Sequence, residues 1–352
     1  MTGKALGLAV VGFGGMGREH VHKLGGEADF QVTGVFDLRA ERQDLARKEG
    51  LHAYGSWAAL LADPRVDVVL VATPNDSHAT LSIEALEAGK HVICEKPVAM
   101  NTAELDAIVA VATRTGRIFT VHQNRRWDDD YLTVRRILDD RTLGRVTHIE
   151  TRVQGSRGIP GDWRKLARHG GGMLLDWGVH LLDRLVFLIP GPIVKVYCRL
   201  HFPTGEEVDE GFHLFLTFGD GRTALVEVGT RHFQTLPLWM VLGDRGTALI
   251  HDWNLQGQMV VVGQDEGDAK PIVAGAGLTK TMAPRSEAGE VRIPLPVVKG
   301  DVGEFYRNVA AAVRGHEAPL VKNTEVRRIL ALMEAAFESH RTGEAVTFEA
   351  GA

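Results

Sequence analysis

The chain has 352 residues, 44% of them hydrophobic and 24% charged, with a formal net charge of -5. That length exceeds what one growing core sustains and predicts two domains, while the composition excludes wholesale disorder and the mild negative charge leaves no electrostatic footprint for nucleic acid. The longest apolar runs, such as VDVVLVAT, fall far short of the ~20 residues that cross a bilayer, and the start lacks a cleavage-site pattern, so a cytoplasmic protein without nucleic-acid or membrane partners is expected.

Residues 5–11 (ALGLAVV) read as a buried strand, 16–25 as a helix and 30–37 (FQVTGVFD) as the next strand, which makes one βαβ unit around a glycine turn. Further strands are predicted at VDVVLVAT, HVICEK and RIFTVHQ, with helices at 39–49, 56–62, 76–88 and 102–115. Ser56 and Thr102 are assigned as N-caps, and Gly50, Gly89 and Gly116 stand just past helix ends. The alternation predicts an α/β domain with a doubly wound parallel sheet over residues 1–124. Beyond about residue 125 strand-like runs at 146–154, 193–202, 211–218, 222–230, 238–242 and 246–251 are joined by turns such as GDG and GDRG. They suit antiparallel hairpins. An α+β domain over 125–352 with a large, mostly antiparallel open sheet follows. GGGMLLDWGVHLLD (170–183) lies between its first two strands and has helical spacing, with Asp176, His180 and Asp183 on one stripe at i, i+4 and i+7. Residues 263–290 have no clean period and read as a loop-rich excursion, and helices near 301–314 and 324–341 are expected to pack back on the first domain. Cys94 and Cys198 are expected to be reduced core thiols.

GFGGMG (Gly12, Phe13, Gly14, Gly15, Met16, Gly17) stands between the first strand and the first helix in the G-x-G-x-x-G pattern. Its glycines permit a tight turn, close backbone approach to a pyrophosphate and close helix–strand packing, so a Rossmann dinucleotide site is expected. Asp37 follows Gly17 by 20 residues, where a carboxylate accepts from a ribose 2′-hydroxyl. Its charge repels a 2′-phosphate, which favours NAD as cofactor; Arg39 nearby leaves NADP possible.

Lys96, in CEKP, ends a strand at the carboxyl edge of the sheet, where open α/β folds bind ligands. With Asp176 and His180 it supplies a cation, an acid and an imidazole, the set needed to move a proton while a hydride leaves the same carbon. No metal is expected, because the Asp176–His180 pair has no evident third ligand. Asp183 either reaches a substrate hydroxyl or pairs with Arg184, Arg168 or solvent. One or two of Asn124, Arg126 and Trp127 are expected to line the pocket, while Arg125 and Asp128–Asp130 read as helix-start surface charge. His78 and His122 are structural or cofactor-adjacent, and Trp163 offers either an apolar face to a sugar or a core contact.

VVGFGGMGREH, VATPNDSH, EKPVAMNTAE and GGGMLLDWGVHLLD together resemble the glucose-fructose oxidoreductase, inositol dehydrogenase and rhizopine-catabolism family of NAD(P)-dependent oxidoreductases over nearly the whole chain. HQNRRWDDDY, DWRK and GEEVDEGFHLFLTFGDG further resemble its branch containing scyllo-inositol dehydrogenases. The resemblance implies that Lys96 bonds the reacting hydroxyl, that His180 is the general base and that Asp176 orients base or substrate. It also implies that Thr73, Pro74 and Asn75 line the dinucleotide, that Glu95 stands near the nicotinamide ribose, and that Trp163 and Arg164 approach the nicotinamide. The implied substrate is a cyclic polyol, sugar or glycoside, for which Lys96, Arg126, Trp163, Asp176, His180 and Asp183 are the candidate contacts, and the implied assembly is a homodimer or homotetramer. Two rival functions are an NAD-dependent glycosidase with transient oxidation and a non-catalytic dinucleotide-binding sensor; the intact Lys96, Asp176 and His180 argue against the sensor.

Overall fold

A computed structural model describes residues 4–264 and 285–348. The first half runs β1 (Leu6–Val11), α1 (Gly15–Leu24), β2 (Phe30–Phe36), α2 (Ala40–Lys48), α3 (Trp57–Ala62), β3 (Val68–Val71), α4 (His78–Glu87), β4 (His91–Cys94), α5 (Thr102–Thr115) and β5 (Phe119–Val121). Its strands are short, apolar and buried along nearly their whole length, as expected where helices cover a parallel sheet. They form a five-stranded parallel sheet in the order β2-β1-β3-β4-β5. The order reverses at β1, so the carboxyl ends of β1 and β3 flank the crevice where such sheets take ligands.

The second half runs α6 (Asp129–Asp139), β6 (Val146–Gln154), α7 (Val179–Leu188), β7 (Ile193–His201), β8 (Gly211–Phe218), β9 (Thr223–Gly229), β10 (Trp239–Gly243), β11 (Gly246–Ile250), β12 (Gly257–Val262), β13 (Glu290–Ile293), α8 (Gly303–Val313), α9 (Asn323–Thr342) and β14 (Val346–Thr347). The nine strands β6 to β14 form one sheet in the order β13-β12-β11-β10-β6-β9-β8-β7-β14. It is antiparallel throughout except where β6 and β9 run parallel. Period-two patterning sets its buried face: Phe212, Leu214, Leu216 and Phe218 of β8 are buried while His213 and Phe215 point outward. α8 and α9 return to the first sheet. Asn323 donates to the Phe119 carbonyl (3.3 Å), Arg327 pairs with Asp106 (2.8 Å), and Glu334 accepts from the Thr102 amide (2.7 Å).

Several expectations need correction. The N-cap of α5 is Asn101, whose side chain accepts from the Glu104 amide (2.9 Å); the Thr102 hydroxyl turns to Glu334 instead. Asp130 is not surface charge but 2% exposed, bonded to the wholly buried Arg184 (2.9 Å) and to the Trp239 indole (2.7 Å). Counting charges along the sequence does not reveal that an arginine from α7 waits inside for one of them. Strands β12, β13 and β14 lie outside the expected strands; β13 and β14 are the sheet edges, with four and two residues, too few for a period to register, whereas β12 is a six-residue interior strand that the reading passed over. The turn Glu287–Gly289 lies in the segment expected to be a loop, and β13 starts at its last residue, Glu290; residues 265–284 of that segment lie outside the described residues. The stretch carrying Asp176 is also not a simple α-helix. Leu174–Gly178 forms a π turn that runs into α7, so Asp176 and His180 are separated by a wider turn than i, i+4 counting assumes.

Candidate active site

The crevice begins at the glycine turn after β1. Gly12 has φ +89, and a Cβ there would lie 2.5 Å from the Ala72 carbonyl oxygen; a Cβ at Gly17 would lie 1.9 Å from the Gly12 carbonyl oxygen. These two glycines let the turn cross β3 and let α1 pack down on it. Cβ atoms at Gly14 and Gly15 would meet nothing within 4 Å, so open space stands before the first turn of α1, which has no side-chain cap and no acidic residue. Uncapped amides beside an open cradle fit an anionic pyrophosphate. Met16 stands at the rim, 36% exposed. Asp37 is 8% exposed. Its carboxylate accepts from the Phe13 amide (2.8 Å) and the Arg39 amide (2.9 Å), with the Arg39 side chain 3.6 Å away. The carboxylate therefore stays fixed beside the glycine turn and Arg39 is held against it.

The loops after β3 and β4 are tied together. The buried His78 ring bridges the Thr73 and Pro97 carbonyls (2.9 Å each), and burial lowers its pKa. Thr73 bonds Ser77 (2.6 Å) beside Pro74, and the Asn75 amide donates to the Gly170 carbonyl (2.8 Å), joining this loop to the glycines of the second half. Glu95 is 4% exposed. One of its oxygens faces His20 Nε2 (2.7 Å) and His122 Nδ1 (2.8 Å), the other accepts from the Lys96 amide (3.0 Å), and Tyr306 of α8 bonds His20 Nδ1 (2.7 Å). Burial alone would raise the Glu95 pKa, but the two histidines hold it well below the usual range, and burial pushes His122 down to about 4. The carboxylate is thus ionised and consumed by the interior. Sequence reading gave His122 a structural or cofactor-adjacent role and placed Glu95 near the nicotinamide ribose, but did not join them to His20 and Tyr306, which come from distant parts of the chain.

Lys96, one residue on, reaches across to the second half. Its Nζ donates to the Asp176 carbonyl (3.0 Å) and carboxylate (3.2 Å), while Arg164 Nε lies 3.3 Å from the other Asp176 oxygen. Burial would raise the Asp176 pKa, but the Lys96 and Arg164 charges outweigh it and the net shift is downward. His180 is 5% exposed, and its Nδ1 has no hydrogen-bond partner among the described residues. Burial first, then the charges of Lys96, Arg125 and Arg184, hold its pKa well below the ordinary histidine value. Glycines make this approach possible. Gly170 has φ +71, Gly172 has φ +100, and a Cβ on Gly171 would lie 2.2 Å from the Arg164 carbonyl oxygen. The buried Asp209 carboxylate accepts from the Leu174 amide at the helix start (2.8 Å).

Other expected residues lie elsewhere in role. Arg126 forms a two-pronged pair with Asp183 (2.8 and 2.7 Å) and bonds Glu325 (2.9 Å), so both functional groups are spent on each other. The partner of Asp183 is neither Arg184 nor Arg168. Burial raises the Asp183 pKa against the opposing Arg126 charge. Trp163 is half-buried with the Arg164 guanidinium 4.6 Å from its ring centroid. Asn124 is half-buried in the turn after β5, and Trp127 donates to Glu304 of α8 (2.9 Å). Beside Asn124, Gln123 is 1% exposed and neither amide atom has a partner among the described residues. Cys94 and Cys198 are free and buried. No helix among the described residues is long and apolar enough to cross a membrane.

Residues 6–123 match a family model described as an oxidoreductase family with an NAD-binding Rossmann fold, and residues 131–249 match the GFO/IDH/MocA C-terminal domain. A solved NAD-binding protein from Listeria innocua is 49% identical, with TM-score 0.93 over 98% of this chain and 99% of that one. The scyllo-inositol 2-dehydrogenase (NADP(+)) IolW of Bacillus subtilis is 24% identical over 91% of this chain and 89% of its own. An uncharacterized oxidoreductase, YdgJ of Escherichia coli, is 28% identical over 80% of each chain.

Proposed function

Because the chain belongs to the GFO/IDH/MocA family of oxidoreductases, we propose that it interconverts a secondary alcohol and the ketone on a cyclic polyol, sugar or glycoside, with NAD as the preferred cofactor. One juxtaposition carries this reading: Lys96 Nζ lies 3.0 Å from the backbone and 3.2 Å from the carboxylate of Asp176, one turn from a buried, neutral His180. The dinucleotide, when bound along Gly12–Gly17 and Asp37, supplies the hydride acceptor or donor.

The chain's own groups handle the proton and the charge. The His180 ring, kept neutral by burial and three cations, presents a lone pair to the substrate hydroxyl, and its proton passes to the ring. The Lys96 ammonium donates to the same oxygen as negative charge develops there. Asp176 aims Lys96 and is itself shared with Arg164, while Arg126, Asp183 and Glu325 lock α7 against the turn after β5 and α9. Arg126 and Asp183 on this reading position the site rather than touch substrate.

The fixed Asp37 carboxylate supports NAD over NADP, although the Bacillus relative's name carries NADP. The test is a screen of cyclic polyols, sugars and glycosides with either cofactor, followed by NADH or NADPH absorbance. Lys96→Ala and His180→Ala should each lower kcat/KM by about 10²–10⁴, and Asp37→Ser should shift preference toward NADP. Turnover unchanged in both of the first two variants removes them from the chemistry. Aglycone release without net NADH would point instead to a glycosidase.

A further inference from the structure

The chemistry above leaves a group of aromatic contacts unused. Trp177 follows Asp176 in the π turn, and its ring stands edge-on to His180 with centroids 5.8 Å apart. Trp253 lies in the loop between β11 and β12, its centroid 6.2 Å from that of Trp177 and the planes 38° apart. The Arg125 guanidinium lies 4.4 Å from the Trp177 centroid and 5.2 Å from that of Trp253, and Asp128 holds it at 2.8 Å. Two indoles thus lead outward from the buried imidazole, set at their angle by one cation.

The outer indole is 47% exposed. It is carried on a loop turned by Leu255 at φ 60, a left-handed conformation uncommon for leucine. A large aromatic held at the surface on a strained loop gains little from folding, but it offers a flat apolar face to the C–H side of a sugar ring and an N–H to its hydroxyls.

We propose that Trp177 and Trp253 form a distal subsite for a second ring, so that the preferred substrate is a glycoside or other two-ring polyol rather than a free monocycle. This rests on the reading that the reacting carbinol sits between Lys96 and His180. Arg125 and Asp128 position the two indoles.

The test uses the full chain with NAD and matched probes: D-glucose against cellobiose, maltose and phenyl β-D-glucoside, and myo-inositol against galactinol. In at least one pair the two-ring member should have the higher kcat/KM, by about tenfold, the worth of one well-packed aromatic contact. Trp253→Ala should bring that ratio close to one, and Trp253→Phe should keep most of it; thermal melting checks that each variant folds. A ratio near one in the unaltered protein, or one that survives Trp253→Ala, overturns the proposal and leaves the dehydrogenase reading standing. Absence of turnover with every probe and the wider panel defeats the dehydrogenase reading, and the subsite with it.

Discussion

Asp209 shows how one buried carboxylate shapes a site from behind. It is 4% exposed, accepts from the Leu174 amide at 2.8 Å, and a Cβ on Gly172 would lie 2.3 Å from its other oxygen. Burial pushes its pKa up to about 7 against the pull of backbone amides. The folded protein therefore binds this proton more tightly than the unfolded chain. The resulting stabilisation is complete below the unfolded value of 3.8 and is lost as pH rises toward about 7. Asp209→Asn keeps an acceptor for Leu174 and never ionises. It should leave stability at pH ~4 little changed and raise it above pH ~7 by up to a few kcal/mol, at about 1.4 kcal/mol per pKa unit. Thermal melts at both pH values check this, and an equal effect at both contradicts it. Nothing in the sequence marks Asp209 out from Glu206, Glu207 or Glu210, because burial is a property of the packing around it.

At the scale of elements, the stretch from Gly170 to Leu188 joins the two halves of the site. Its first three glycines are each pressed against a specific neighbour: Asn75 and Met100 at Gly170, the Arg164 backbone at Gly171, Asp209 at Gly172. The π turn that follows was not legible, since helical periodicity reads the same apolar face whether a turn holds 3.6 residues or more. Gly171→Ala would place a methyl against the Arg164 carbonyl, which also accepts from the Gly172 amide (3.0 Å). It should cost about 1–3 kcal/mol of stability and lower kcat, whereas Gly161→Ala, where a Cβ meets nothing within 4 Å, should change neither. Denaturant unfolding of the two variants side by side decides it; equal behaviour would mean the segment yields easily.

For the whole molecule, the closing helices matter most. α8 supplies Tyr306 to the Glu95 hub behind Lys96, and α9 contacts β5 and α5 through Asn323, Arg327 and Glu334. Residues 1–124 contain the whole glycine motif and Asp37, yet alone they would leave His20, His122 and β5 without their covering. Buried polar groups stripped of partners are costly. A chain ending at residue 124 should therefore melt lower than the full protein and bind NAD more weakly. Calorimetry and NAD titration test this, and equal values for both chains would show that the first sheet stands by itself.

The sequence by itself determined the βαβ alternation, the glycine turn with Asp37 at its distance, and the candidate trio Lys96, Asp176 and His180. Those signals are local: they depend on spacing along one strand, turn or helix. Only the tertiary structure decided that Asp183 is consumed by Arg126, that Asp130 serves a buried arginine, that Glu95 faces two histidines, one of them bonded by a tyrosine from the far end of the chain, and that two tryptophans from different elements meet, one of them edge-on to the imidazole. Partner choice among charges and rings depends on which segments come to lie together and how much water they exclude, and neither quantity exists until the chain has folded.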